Sequence, residues 1–301
     1  MDIVKNISII FISIFFESLP FLLLGSLISS VIEVYVSDDT FEKLIPKNVF
    51  LGSIVGIFLG FFLPACDCAV IPVSKRLIKK KVPLNVAISF MLASPIINPV
   101  VLLSTYYAFY KVNPKIFWLR LIFGILISLI IGIIMGILFK KNVIKNKIED
   151  MEEECCCHHH HQKSHILKDD LISIIKHTVY DLFDVLKYLM FGALLASLIQ
   201  VVIPRSIITI FNNNYILSII ILMVFAYLIS LCSTSDSFIG KSMLSSFGTS
   251  GVLAYLLLGP MIDIKNTVVL LGNYKKKFVV TLISLIFIFV FLFSILAVMI
   301  L

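Results

Sequence analysis

Residues 278–301 run without a single charge, and residues 116–139 carry one, Arg120. A hydrocarbon core about 30 Å thick takes about 20 helical residues to cross. Runs of this length are read as helices, because a helix satisfies its own backbone inside lipid while a β-barrel strand needs a polar, alternating pattern. The rest of the chain agrees. It is 59% apolar and 14% charged, against about 45–50% and about 25% in soluble domains. The fold class expected is an all-α polytopic membrane protein embedded in the lipid bilayer.

Eight hydrophobic units can be drawn, at about 5–36, 49–73, 84–110, 116–139, 170–204, 214–240, 243–272 and 278–301. The first contains only Glu17 and Glu33 among charges over residues 7–36 and is too long for a signal-peptide core, so it is read as a retained helix. About eight spans follow, or ten if interrupted segments count separately. The third unit of each half is broken, by Pro95 with Pro99 and by Gly259 with Pro260, as suits discontinuous or re-entrant helices.

The halves resemble each other. Gly25 over Gly192 puts Glu17 over Asp184, and a near-constant offset puts Cys66 over Cys232; "SPIINPVVLL" at 94–103 falls near "GPMIDIKNTVVLL" at 259–271, with Asn98 over Asp263. This predicts a first membrane repeat over 1–139, a loop over 140–169 and a second repeat over 170–301. The net charge of +7 sits in loops beside spans and does not indicate nucleic-acid binding. The basic stretches "SKRLIKKK" (74–81) and 140–147 face the cytoplasm if each half has four spans and the N-terminus is inside. Lys275, Lys276 and Lys277 conflict with that arrangement. An even span count per half makes the repeats parallel; an odd count inverts them.

Four sets of residues can carry chemistry. In "PACDCAVIPV", Asp67 stands between Cys66 and Cys68, and the related "CSTSDSF" holds Cys232, Ser233, Thr234 and Asp236. Thiolates suit Cu(I), Zn or thiophilic metalloids, and a carboxylate in hydrocarbon needs a polar cavity or a partner; free cysteines also serve as small core hydrophobes. Glu17 and Asp184, deep in apolar runs, are candidate proton carriers or cation ligands; Asp184 has a second reading, an i,i+3 ion pair with Lys187. Asn98, Asp263 and Asn266, just past the proline breaks, either bind substrate or cap broken helices.

The fourth set is the loop stretch "EEECCCHHHHQKSH" (152–165). Cys155, Cys156, Cys157, His158, His159, His160, His161 and His165 are thiolate and imidazole ligands of the kind Zn²⁺ and Cu(I) prefer. Their spacing fits no folded zinc module. It suits a flexible loop that loads ions, or it is low-complexity drift in a linker. No cofactor is required, and Zn or Cu(I) would be the substrate.

Together "PACDCAVIPV", "ASPIINPVVL", "LCSTSDSFIG" and "GPMIDIKNTVVL" resemble the predicted permease family that includes bacterial organoarsenical efflux permeases, and the Cys/His-rich loop resembles its copper/zinc efflux branch. The resemblance covers most of the chain. It implies a multi-pass exporter of the bacterial cytoplasmic membrane, not an enzyme, moving soft metal ions or else trivalent organoarsenicals. No Walker A sequence is present, so ion-gradient coupling is expected rather than ATP hydrolysis in this chain. Glu17, Asp67, Asp184 or Asp236 would then exchange protons for the cation. Two other classes are a membrane thiol oxidoreductase using Cys66 and Cys68, and a metal sensor; neither a cofactor motif nor a signalling domain accompanies them.

Overall fold

The structure, a computed structural model, describes residues 2–35, 46, 48–62, 67–139, 143–144, 167–202 and 215–300. These residues form helices and no strand. In chain order the helices are α1 (Asp2–Tyr35), α2 (Val49–Phe62), α3 (Val70–Lys79), α4 (Leu84–Ile97), α5 (Pro99–Phe109), α6 (Lys115–Leu138), α7 (Leu167–Val202), α8 (Tyr215–Ile229), α9 (Ser233–Met261), α10 (Ile264–Asn273) and α11 (Lys276–Ile300). Six stretches are long and apolar enough to cross a membrane: Val4–Ile32, Leu84–Phe109, Lys115–Leu138, Ser173–Val201, Ser233–Asn273 and Lys276–Met299. Two apolar helices, α2 and α8, have only 14 and 15 residues, short of the about 20 that a crossing needs. The chain is an all-α polytopic membrane protein.

The breaks have local causes. Pro99 disfavours the α conformation of the residue before it, and Asn98 accordingly leaves the helix (φ −54°, ψ 129°) between α4 and α5. Its side chain accepts from the Val100 N–H at 3.0 Å and caps α5. In the second half Ile262 and Asp263 are extended after Pro260, and Asp263 caps α10. Each half also turns sharply one element earlier. Lys81 between α3 and α4 has φ +61°, and Gly248 inside α9 has φ +71°, so α9 consists of two helical arms meeting at Gly248.

Side-chain contacts fix the directions of the helices. Phe139 meets Phe278 (ring centroids 5.5 Å apart) and Phe123 meets Phe293 (5.1 Å), so α6 and α11 lie antiparallel. Ser29 donates to Asp181 at 2.9 Å while Ile14 packs on Ala193 and Ala196, so α1 and α7 are antiparallel too. α4 starts where α6 ends, with Gly136 against Asn85.

The basic stretches gather at one end of this bundle. Ser74 and Tyr274 share a hydrogen bond of 3.0 Å, and Lys75 donates to Asn273 at 3.2 Å. Lys275 N–H donates to the Val143 carbonyl at 2.9 Å, beside an antiparallel bridge of Ile144 with Tyr274. Residues 74–76, 143–144 and 273–275 are therefore neighbours. An arrangement of four spans per half puts Lys275, Lys276 and Lys277 opposite the other basic stretches. The structure brings them together. α1 runs toward the basic end, because its Ser29 meets Asp181, the partner of Arg76, and the start of α1 lies at the other end.

Small residues let these helices approach. A Cβ on Gly56 of α2 would collide with the Val86 carbonyl oxygen, and one on Gly60 would lie 3.0 Å from the Ser94 amide nitrogen. Close backbone approach of this kind supplies the packing that a hydrophobic drive cannot supply inside lipid. Gly56→Ala is expected to destabilise the protein by about 1–3 kcal/mol, the range for overpacking a filled interface. The measurement is the thermal unfolding midpoint of the detergent-solubilised protein. An unchanged midpoint would show that α2 is not held against α4.

Candidate functional site

The start of α3 meets the start of α10. Asp67, in the turn that leads into α3, is 4% exposed. It accepts from Asn266 Nδ2 at 3.0 Å, and Lys265 Nζ lies 3.5 Å from its Oδ2. Lys265 also stands 3.5 Å from Asp263 Oδ2, and Asp263 Oδ1 accepts from the Asn266 N–H at 2.6 Å. One ammonium thus serves two buried carboxylates from opposite halves of the chain. Gly192 of α7 packs on the Lys265 backbone, and Gly25 of α1 on Ala69, so α1 and α7 clamp the two turns.

A second buried polar group lies where α5, α6 and α9 touch. Arg120 of α6 is fully buried and donates through Nη1 to Thr105 at 2.7 Å and to Ser237 at 2.9 Å. Tyr255 donates to Asp236 Oδ1 at 2.9 Å. Arg120 Nε and Nη2, Asp236 Oδ2 and Asn266 Oδ1 are buried without a hydrogen-bond partner. Leaving a buried polar atom unmatched costs about 1–3 kcal/mol, more for a charged group.

The residues singled out from sequence fall into different places. Asn98 and Asp263 are helix caps, and Asp263 also belongs to the charged cluster. Cys68 is buried; Cys232 is half-buried at the start of α9, with Sγ 3.3 Å from Thr234 Oγ1. Ser233 is buried, and Ser104 of α5 donates to the Thr234 carbonyl at 2.6 Å. Glu17 is exposed on α1, within electrostatic reach of Cys232.

Asp184 sits away from these groups, at the basic end. Lys75 pairs with it at 3.3 Å and Lys187 at 3.6 Å, while Arg76 pairs with Asp181 at 3.0 Å. Cys66 and the loop ligands Cys155, Cys156, Cys157, His158, His159, His160, His161 and His165 lie outside the described residues. Among the described residues, no group of three or more His, Cys, Asp or Glu side chains is placed to hold a metal ion.

Sequence reasoning missed Lys265 and Arg120 as site residues. Both left a signal: Arg120 is the one charge in residues 116–139, and Lys265 stands two residues beyond Asp263 within a singled-out motif. A charge inside a membrane span is a functional candidate whatever its sign.

The sequence matches the family model described as "Predicted permease" over residues 3–299. A "Putative two-component membrane permease complex subunit" of Streptococcus mutans is 38% identical over 270 residues, 90% of this chain and 87% of that protein. The UPF0718 protein YcgR of Bacillus subtilis is 38% identical over 281 residues, 93% of each. The UPF0718 protein MJ0584 of Methanocaldococcus jannaschii is 25% identical over 130 residues, 43% of this chain and 34% of that protein. No solved structure matches the chain.

Lys265→Met is expected to destabilise the fold by about 3–5 kcal/mol, because it strands Asp67 and Asp263 as uncompensated buried charges. Adding Asp67→Asn should recover part of that loss, since one stranded charge is then removed. Thermal unfolding of the three proteins in detergent measures both effects. A single variant as stable as wild type would contradict the pairing.

Proposed function

The chain belongs to the Predicted permease family, and on that premise we propose that it is an exporter of soft, thiol-seeking metal cations of the copper and zinc class. The observation that carries the reading is the buried seam in which Asp67 and Asp263 share Lys265. Charges are kept inside a membrane protein where they serve a solute path. With Asp236 deprotonated, the seam and its neighbour hold three buried carboxylates (Asp67, Asp236 and Asp263) against two buried cations, Lys265 and Arg120. The excess of negative charge favours a cationic passenger. Cys68, adjoining Asp67, and Cys232, at the start of α9, supply sulfur, which favours a soft one.

In this reading the halves 1–139 and 170–301 are repeats of opposite orientation. The antiparallel pairs α1/α7 and α6/α11 support it, as do the sharp turns at Lys81 and Gly248. Transporters built from inverted repeats place substrate between broken helices near the bilayer midplane. The clustering of basic residues at one end supports a cytoplasmic position for that end under the Lys/Arg bias. The 140–169 loop would then collect ions with its Cys/His block and deliver them to the seam, with an ion gradient as the driving force.

Everted membrane vesicles containing the full chain test this. Uptake of Zn²⁺, Cu(I) and methylarsenite is compared at matched protein amount. The expected result is uptake of at least one of the two metal ions, falling about tenfold or more in the Cys66→Ser/Cys68→Ser double variant, a loss worth about 1.4 kcal/mol or more of affinity. Deleting residues 155–161 should weaken uptake at low metal concentration and leave it intact at saturation. Uptake of methylarsenite alone would reassign the substrate. Wild-type uptake by the folded double variant would remove the thiols from the path.

A further inference from the structure

We infer that Asp236 is a proton-binding site of the permease, with Arg120 as its charge partner. The inference deepens the proposed transport reading, by naming the group that exchanges protons. Its geometry is independent of what is transported.

Asp236 is 2% exposed and spends only one oxygen, Oδ1, on a partner, Tyr255. Oδ2 has none. Gly259 is the reason that the oxygen fits, since a Cβ there would lie 2.9 Å from it. Across the interface Arg120 is 0% exposed and uses Nη1 on two hydroxyls, leaving Nε and Nη2 idle. Arg120 bonds Ser237, the residue next to Asp236, so idle acceptor and idle donors of opposite charge come to one buried interface and make no ion pair. A static structural role would close that pair, because buried polar groups are normally satisfied.

Two arrangements are open to such a pair. With a proton on Oδ2 the carboxyl is neutral, and Arg120 rests on Thr105 and Ser237. When the proton leaves, the carboxylate draws the idle edge of the guanidinium, whose fork matches it in a bidentate pair. The proton comes from water on one side and returns to water on the other; only the O–H bond forms and breaks. Arg120 belongs to α6 and Asp236 to α9, so the exchange alters a contact between the two halves of the chain.

Among the described residues few other charges compete. Arg120, Tyr255, Asp67 and Asp263 act on Asp236. Of the helices packed against α9, neither α4, α5 nor α8 contains a charged residue. α6 adds only Lys115, at its first position. α11 adds Lys276 and Lys277, at its basic-end start. Lys241 of α9 itself is exposed.

The test is pH-difference infrared spectroscopy of the full chain in lipid, with vesicle uptake alongside. Wild-type protein should show an acid carbonyl component that disappears as pH rises and is missing from Asp236→Asn. Tyr255→Phe removes the hydrogen bond on Oδ1 and should move that component to higher frequency, which keeps the inference testable if Asp236→Asn fails to fold. Wild-type and variant spectra that superpose would overturn the site. In vesicles, the pH dependence of wild-type uptake should be lost in Asp236→Asn; an unaltered pH profile would overturn its role in transport. If none of Zn²⁺, Cu(I) or methylarsenite moves, yet the infrared component depends on Asp236, the proton site stands and the substrate reading falls.

Discussion

The shared ammonium of Lys265 is the interaction on which the centre of this molecule depends. Asp67 comes from the turn before α3 and Asp263 from the cap of α10, and a single buried amine neutralises both. Removing either kind of charge alone leaves the other stranded where water cannot reach it, which is why such groups hold the helices around them in a fixed relation. Asn266 reinforces the arrangement by giving its amide N–H to Asp263 and its side chain to Asp67. The two halves of the chain therefore meet through charge at their centre, and further polar contacts join them at the basic end and where Arg120 reaches Ser237.

Helix ends are what put polar groups at that meeting place. α3, α9 and α10 all begin near it, and the breaks at Asn98 and Asp263 leave backbone groups to be capped by side chains. Unwound backbone inside a membrane protein is tolerated only where protein or a polar cavity surrounds it. The basic end is organised by different rules: Lys75 with Asp184 and the buried Arg76 with Asp181 are ion pairs that fasten α3 to α7. Asp184 belongs to that fastening, while its counterpart in the sequence comparison, Glu17, is exposed on α1. Similarity of position in two halves did not bring similarity of surroundings.

What the sequence determined by itself was the solvent and the punctuation. Long runs without charge require helices in lipid, Pro99 forces the break before it, and the carboxyl, amide and thiol residues beside the breaks could be named without coordinates. Their partners could not. Asp67 and Lys265 are 198 positions apart, and Arg120 lies 117 positions from Ser237, so no local spacing links them. Direction was hidden for a related reason. Hydropathy counts apolar residues but does not tell a 14-residue helix that turns back from one that crosses, and each miscounted crossing reverses every helix after it. Only the tertiary packing, through pairs such as Phe139 with Phe278 and Val143 with Lys275, decided which ends lie together. The physical reason is that burial in lipid is set by composition along the chain, whereas the matching of a buried charge is set by whatever distant segment can reach it.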